Sequence, residues 1–134
     1  MSWLTDFAEY LEDQGAGTVG TNLFVNRLPD SPAVAAAVYD AGGDPSPHGV
    51  DVPWYEHQAE IRVRAASFAA AQTAADTYLN KIDHKQNITM NGSTVVHWIR
   101  PVTAPAFLEY DKERRAVFLI RVIMHVQRSE LYTA

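Results

Sequence analysis

Alternation of apolar and polar residues over residues 107–128 predicts a β-hairpin. A short strand, Phe107–Tyr110, is followed by a charged turn and a long strand, Ala116–Gln127. One face of the long strand is apolar along its length, and the other is apolar through its middle. A strand that is apolar on both faces is typical of a sheet that is covered above and below. We therefore expect Ala116–Gln127 to be the central strand, with an overhanging end that offers an edge to other subunits.

Two segments carry apolar residues at helical spacing. The first is Ser2–Gln14, which Ser2 can cap and which stops before two nearby glycines. Its apolar stripe comprises Trp3, Leu4, Phe7, Tyr10 and Leu11. The second is Ser67–Lys85, with Ser67 as its cap and many alanines that let a helix lie close to a sheet. We expect the second segment to be a long helix that packs across the central strand.

The other apolar segments are short, as strands are. Asn91-Gly92 suits a two-residue hairpin turn, whereas the alanine-rich segment before Asp40 is also compatible with a helix. The predicted strands are Leu23–Asn26, Ala33–Asp40, Glu56–Ala65, Ile88–Met90 and Thr94–Arg100. All these elements predict one α+β domain over residues 1–134. It has a twisted, mostly antiparallel sheet, the long helix packed across it, and an N-terminal helix.

Residues 41–53 contain three prolines and three glycines, a composition that predicts irregular structure. A loop of this length in a compact domain is either functional or mobile. The two large aromatic residues that follow either form a contact site or close one end of the core. The candidate contact residues in this region are Asp44, His48, Asp51, Trp54 and Tyr55.

Charged residues mark two further candidate contact surfaces. Arg62 and Arg64 lie on the polar face of their predicted strand, and Arg121 lies on the less apolar face of the central strand. These arginines either bind an acidic group of another subunit or line a solvated face. The hairpin tip either contacts a partner or faces solvent. Its candidate residues are Asp111, Lys112, Glu113, Arg114 and Arg115.

Composition narrows the class of protein. The chain of 134 residues is 47% hydrophobic and 20% charged, which is typical of a globular domain and not of a disordered one. The absence of cysteine excludes disulfides, thiolate zinc sites and cysteine nucleophiles. A net charge of −5 argues against a protein that grips phosphate backbones. We expect no secretory signal, because no basic apolar N-terminal segment is present, and no membrane span, because no apolar run is long enough.

Candidate chemistry is sparse. The five histidines do not show the i, i+4 spacing of a helical metal site, and the sequence lacks the common phosphate-binding, zinc-protease and serine-hydrolase motifs. His97 and His125 can face each other across a sheet, near Glu109 or Asp111, either as packed residues or as part of a catalytic set. We expect no enzyme, no metal and no cofactor. A small-ligand-binding α+β domain is a remaining alternative.

The order of several motifs carries a family resemblance. The N-terminal helix is followed by segments with an LPDSP motif, a YDAGG motif, an arginine-bearing strand, an alanine-rich helix and the final hairpin. The motifs in order are residues 10–15, 18–24, 28–32, 38–43, 61–64 and 105–111. This order resembles the small minor capsid or tail terminator proteins of long-tailed bacteriophages. The final turn of such relatives has the pattern Asp-x-x-Gly-Arg, which Asp111 and Arg115 fit, whereas Arg114 takes the glycine position.

The resemblance implies a structural protein of the virion tail or neck that is assembled in the host cytoplasm. Its copies would close into a ring, commonly of six, that caps the tail tube, ends its growth and meets the head-side connector or stopper. The implied partners are other copies of the chain, the tail tube protein and that head-side protein. Genome DNA would pass through the ring, and the acidic charge either suits such a channel or serves solubility. A head-completion or connector subunit of the neck is the alternative within the same class.

Overall fold

The computed structural model of the chain describes residues 3–44, 54–90 and 94–127. In chain order the elements are α1 (Trp3–Asp13), β1 (Leu23–Val25), β2 (Ala35–Asp44), β3 (Trp54–Ala65), α2 (Phe68–Ile82), β4 (Lys85–Met90), β5 (Thr94–Pro101), β6 (Ala106–Tyr110) and β7 (Ala116–Gln127). The predicted α+β class is confirmed. The alanine-rich segment before Asp40 forms a strand, so the helical alternative for it is wrong.

The strands form one sheet in which β7 is the central strand, as predicted. The sheet order is β1-β2-β3-β7-β5-β4, and β6 also pairs with β7. Strands β1 and β2 pair in parallel, and the other described pairs are antiparallel. Along one edge β7 pairs with β3 from Ala116 to Gln127, and along the other with β6 and then β5. The expected overhang of β7 is wrong, because β3 has the same length of 12 residues.

Both helices pack on one face of the sheet, which curls around them. Helix α2 contacts β3, β7 and β5, whereas α1 contacts β1, β2 and β4, which come from the two ends of the sheet order. The largest fully buried side chains include Phe7, Leu11, Leu23, Ile61, Ile82, Met90, Ile99, Phe118, Ile120 and Met124. On the opposite face of β7, Leu119 and Ile123 are half-buried. Val117 and Arg64, on this same face, are buried, and Arg64 donates hydrogen bonds to the carbonyl groups of Pro32 and Ala33. Both described helices lie on the other face, so the expectation of a sheet covered above and below is confirmed only in part for the described residues.

The helices are shorter than predicted. Helix α1 has 11 residues and α2 has 15, so the long helix across the sheet is not confirmed. The predicted cap of α2 is confirmed, because the Ser67 hydroxyl accepts a hydrogen bond of 3.2 Å from the Ala70 backbone N–H, whereas Ser2, the predicted cap of α1, lies outside the described residues. Helix α2 ends at Ile82, where the next residue, Asp83, is extended; His84 then has a positive φ of 57° and the chain enters β4 at Lys85. Neither described helix is long and apolar enough to cross a membrane.

Strand β2 continues further than predicted. The sequence predicts irregular structure from Ala41, but the strand runs to Asp44 across a bulge between Asp40 and Gly43. Gly43 has a φ of 146°, and a Cβ atom there would lie 2.0 Å from the carbonyl oxygen of Glu56. The glycine therefore lets β3 approach the bulge instead of ending the strand. Residues 45–53 lie outside the described residues.

The two predicted hairpins differ in how much of each is described. Strands β4 and β5 pair from Met90 and Thr94, while the predicted Asn91-Gly92 turn lies outside the described residues. Strand β4 begins at Lys85, three residues before its predicted start. The β6–β7 hairpin is described throughout, including its turn at residues 111–115. This turn holds several of the candidate contact residues.

Candidate functional site

The carboxylate of Asp111 shapes the turn between β6 and β7. Its Oδ1 atom accepts hydrogen bonds of 2.9 Å from the backbone N–H groups of Glu113 and Arg115. Arg114 has a φ of 64°, in the region that favours glycine. Desolvation acts to raise the pKa of Asp111, but hydrogen bonds from Arg115 and Glu113 outweigh it and lower this pKa. The turn is therefore held in one geometry, with Arg114 in the position where the resembling family has glycine.

Arg115 ties this turn to the loop that follows β1. Its Nε atom donates a hydrogen bond of 2.8 Å to Asp111 Oδ2, and its Nη1 atom donates one of 2.8 Å to the Asp30 carbonyl oxygen. Only 9% of the Arg115 side chain is exposed, whereas Lys112, which pairs with the Asp30 carboxylate at 3.5 Å, is 75% exposed. Arg115 therefore joins two segments of its own chain and offers little surface to a partner.

Arg64 has a similar internal role. Its Nε atom donates a hydrogen bond of 3.1 Å to the Ala33 carbonyl oxygen, and its Nη2 atom donates to the Pro32 carbonyl oxygen. The residue is 3% exposed, although the alternating pattern of β3 predicts that it lies on the polar face. Carbonyl groups of an irregular segment need donors when they are buried, and a guanidinium group can serve two of them. Arg64 and Arg115 thus hold residues 30–33 against the sheet.

Arg62 and Arg121 are the accessible members of the predicted arginine set. Both contact the carboxylate of Glu60, at 3.2 Å and 3.5 Å, and their side chains are 38% and 55% exposed. The Arg62 guanidinium also lies 4.8 Å from the centre of the Tyr39 ring. Exposed ion pairs of this kind contribute little to stability. These two side chains lie on the face opposite the helices, where another subunit can reach them.

The other predicted contact region lies at the far end of the sheet. Asp44 ends β2, Trp54 and Tyr55 begin β3, and His48 and Asp51 lie outside the described residues. Strands β3 and β7 run side by side for 12 residues. This length corresponds to about 36 Å between the two ends of the pair. The structure therefore does not bring this region and the hairpin tip into one site.

The sequence interpretation missed an exposed aromatic cluster beside β6, which we define as Phe68, Phe107 and Tyr110. These residues are 44%, 41% and 55% exposed. Their ring centres lie 5.4 Å apart for Phe68 and Phe107 and 4.9 Å apart for Phe107 and Tyr110. The buried ring of Phe118 lies beneath, 5.0 Å from that of Phe68. The composition of β6, with apolar residues on both faces of a short strand, was the available signal.

The two strand histidines face each other, as predicted. The ring centres of His97 and His125 lie 5.9 Å apart in an edge-to-face arrangement, and the ring of Trp98 stacks on His125 at 5.4 Å. These are packing contacts between aromatic rings. Within residues 3–44, 54–90 and 94–127, no group of three or more His, Cys, Asp or Glu side chains could hold a metal ion.

Comparisons with known proteins give a family and a fold. A family model described as "Bacteriophage tail terminator protein" matches residues 10–128. The fold is similar to that of a chain in the solved structure entitled "Virion of native gene transfer agent (GTA) particle", with a TM-score of 0.67 and 14% sequence identity. The likeness covers 95% of this chain and 99% of that chain, and at this identity it shows a shared fold. A search of curated proteins found no match.

Proposed function

Because the chain belongs to the bacteriophage tail terminator family, we propose that its copies form a ring that caps the tail tube and ends tail elongation. The ring also provides the surface to which the head is joined. The observation that carries this proposal is the family match over residues 10–128, which spans every described strand, α2 and the last four residues of α1. As a member of this family, the chain is a structural protein of the virion tail or neck.

The surface supports a role in assembly. A subunit of a ring needs contact surfaces for its neighbours and for the components above and below it. The described structure offers an exposed aromatic cluster, two accessible arginines on the open face of the sheet, and the charged residues of the hairpin tip. Exposed apolar clusters on an otherwise polar surface mark sites where proteins associate. In this proposal the protein acts by binding, without catalysis or a cofactor.

The proposed partners follow from the position of a terminator. They are other copies of the chain in a ring of about six, the tail tube protein on one side of the ring, and a connector or stopper on the head side. The family resemblance supplies both the number of copies and these partners. Genome DNA passes through the ring without sequence-specific contact. A net charge of −5 favours such passage, because few cations are available to hold phosphates. The tip residues Lys112, Glu113 and Arg114 and the accessible arginines are the proposed charged contacts.

Disruption of the gene in a phage, followed by negative-stain electron microscopy of the lysate, tests the proposal. A terminator defect leaves tails of uneven, excessive length that are not attached to full heads. Tails of normal length beside unattached heads would assign the chain to the head-side connector instead. Infectious particles of normal form would overturn both assignments. Restoration of normal tails by the intact gene supplied in trans is the control for effects on neighbouring genes.

A further inference from the structure

The exposed large apolar side chains of the described residues fall on two sides of the β3–β7 pair. Val34, which is 56% exposed, directly precedes β2 on one side. The others lie by β6, the end of β5 or the start of α2, on the other side. They are Phe68, Val102, Phe107, Leu108 and Tyr110. The described part of the chain therefore has two separate apolar surfaces.

The first surface is the aromatic cluster, whose large rings are exposed. The aromatic cluster is built from the first residue of α2 and two residues of β6, and it rests on Phe118 of the core. Every residue of β6 is exposed, and within the described residues β6 pairs with β7 alone. Tyr110 adds a hydroxyl group at the rim of the cluster, so the cluster combines large apolar area with one polar group. Exposed aromatic residues of this kind are typical of the anchors of protein interfaces.

The second surface is a groove beside α2, which we call the α2 groove. Its walls come from the loop after α1, from the start of β2 and from the second and third turns of the helix. Residues that line it include Ala16, Asn22, Val34, Ala36, Ala74 and Thr77. Most of these side chains are small, so the groove has room for a bulkier group. The loop approaches the helix so closely that a Cβ atom at Gly17 would lie 2.8 Å from the Tyr78 hydroxyl oxygen.

The register of the sheet places the two surfaces at the same level. Ala36 of the groove pairs with Val63, which pairs with Phe118, which pairs with Phe107 of the cluster. Three interstrand spacings therefore separate Ala36 from Phe107, or about 14 Å. One surface carries large exposed rings and the other is a groove lined mostly by small side chains, and they flank the same pair of central strands. A chain with two different complementary patches associates head to tail, and such contacts generate closed rings or open helices.

We propose that the aromatic cluster of one copy docks into the α2 groove of the next copy. The biological purpose of this contact rests on the proposed ring function, but the contact itself is a property of the chain and can be measured without a phage. The competing arrangement is direct pairing of two β6 edges. That arrangement is disfavoured by the bulge between Phe107 and Glu109, which interrupts an already short strand.

Cysteine cross-linking of the purified protein tests the contact, because the natural chain contains no cysteine. One preparation carries Tyr110→Cys in the cluster, and a second carries Val34→Cys at the groove, with a tag that distinguishes their masses. Both positions are more than half exposed, so neither change should prevent folding. A third preparation, Gln86→Cys on the exposed edge of β4, is the matched control for random collisions.

The expected result is a mixed disulfide dimer of the Tyr110→Cys and Val34→Cys chains. Its yield should exceed that of the Tyr110→Cys and Gln86→Cys mixture by about tenfold or more, because docked thiols reach an effective concentration on the order of millimolar. A chain that carries both Tyr110→Cys and Val34→Cys should give covalent oligomers longer than dimers. Thr77→Trp, which fills the groove from an exposed position of α2, should reduce the mixed-dimer yield by a similar factor.

Other outcomes overturn the proposal. Predominant dimers between two Tyr110→Cys chains would indicate edge-to-edge pairing of β6. Equal yields for the Val34 and Gln86 mixtures, or no effect of Thr77→Trp, would show that the groove is not the docking site. This assay and the tail-length assay can fail independently. Over-long tails in the absence of the cross-link would indicate a terminator whose copies meet through a different interface. The cross-link in the absence of a tail defect would indicate a self-associating protein with another function.

Discussion

Replacement of Arg114 tests the geometry of the β6–β7 turn. Arg114 has a φ of 64°, a conformation that costs an L-residue about 1–2 kcal/mol. Glycine avoids this cost but loses about 0.5–1 kcal/mol more conformational entropy on folding than another residue does. Arg114→Gly should therefore raise the free energy of unfolding by about 0.5–1 kcal/mol. Arg114→Ala removes the same charge and keeps the Cβ atom, so its stability should stay close to that of the natural chain.

Thermal and urea denaturation of the three proteins measure this difference. For a domain of 134 residues, the expected gain corresponds to a rise in Tm of about 2–4 °C for Arg114→Gly over Arg114→Ala. Lys112 provides the matched control, because it is exposed in the same turn and is not among the residues with positive φ. At that position the alanine variant should be the more stable one. If Arg114→Ala equals or exceeds Arg114→Gly in stability, the left-handed conformation assigned to this turn is wrong.

Three further predictions concern stability. Arg115→Met should lower the free energy of unfolding by about 2–3 kcal/mol, because it leaves the Asp30 carbonyl group without its charged donor, and urea denaturation measures this loss. Gly43→Ala should cost about 2–4 kcal/mol, since its Cβ atom would meet the Glu56 carbonyl oxygen, and an unchanged Tm would contradict the close approach at the bulge. Burial lowers the pKa of His57 to about 4 from 6.5, so the unfolded chain binds its proton first as the pH falls. The stability contributed by neutral His57 is complete above pH 6.5 and is lost as the pH falls towards 4. The drop in Tm between pH 7.5 and pH 5 should therefore be smaller in His57→Gln than in the natural chain.

Much of the fold could be predicted because its signals are local. The periodicity of α1 and α2, the cap at Ser67 and the alternation of β3 and β7 each depend on residues that are neighbours in the sequence. The extension of β2 could not be predicted, because Gly42 and Gly43 are equally compatible with a turn and with a bulge. Only the approach of β3 to the bulge decides between these alternatives, and that approach is a tertiary contact.

The candidate contact residues were harder to predict because burial depends on distant partners. Alternation correctly places Arg62 and Arg64 on one face of β3. Arg64 is nevertheless buried, because it donates hydrogen bonds to carbonyl groups of a segment about 30 residues earlier in the chain. Arg115 is buried for the same reason, by the carbonyl group of Asp30. The aromatic cluster was missed because Phe68 belongs to the apolar stripe of α2, where a core position is the usual interpretation. Its exposure follows from the position of β6, which sequence spacing does not give.

The place of β7 in the sheet has a consequence for protein synthesis. This strand joins β3 to β5 and β6, yet it is the last of the described strands to leave the ribosome. Until it is made, the nascent chain can form the β2–β3 and β4–β5 hairpins, but the two have no common partner strand and β6 has none. A premature stop before Ala116 therefore divides the sheet instead of shortening it. Truncated copies would lack the fold on which the proposed docking depends, so we expect them not to associate with complete copies.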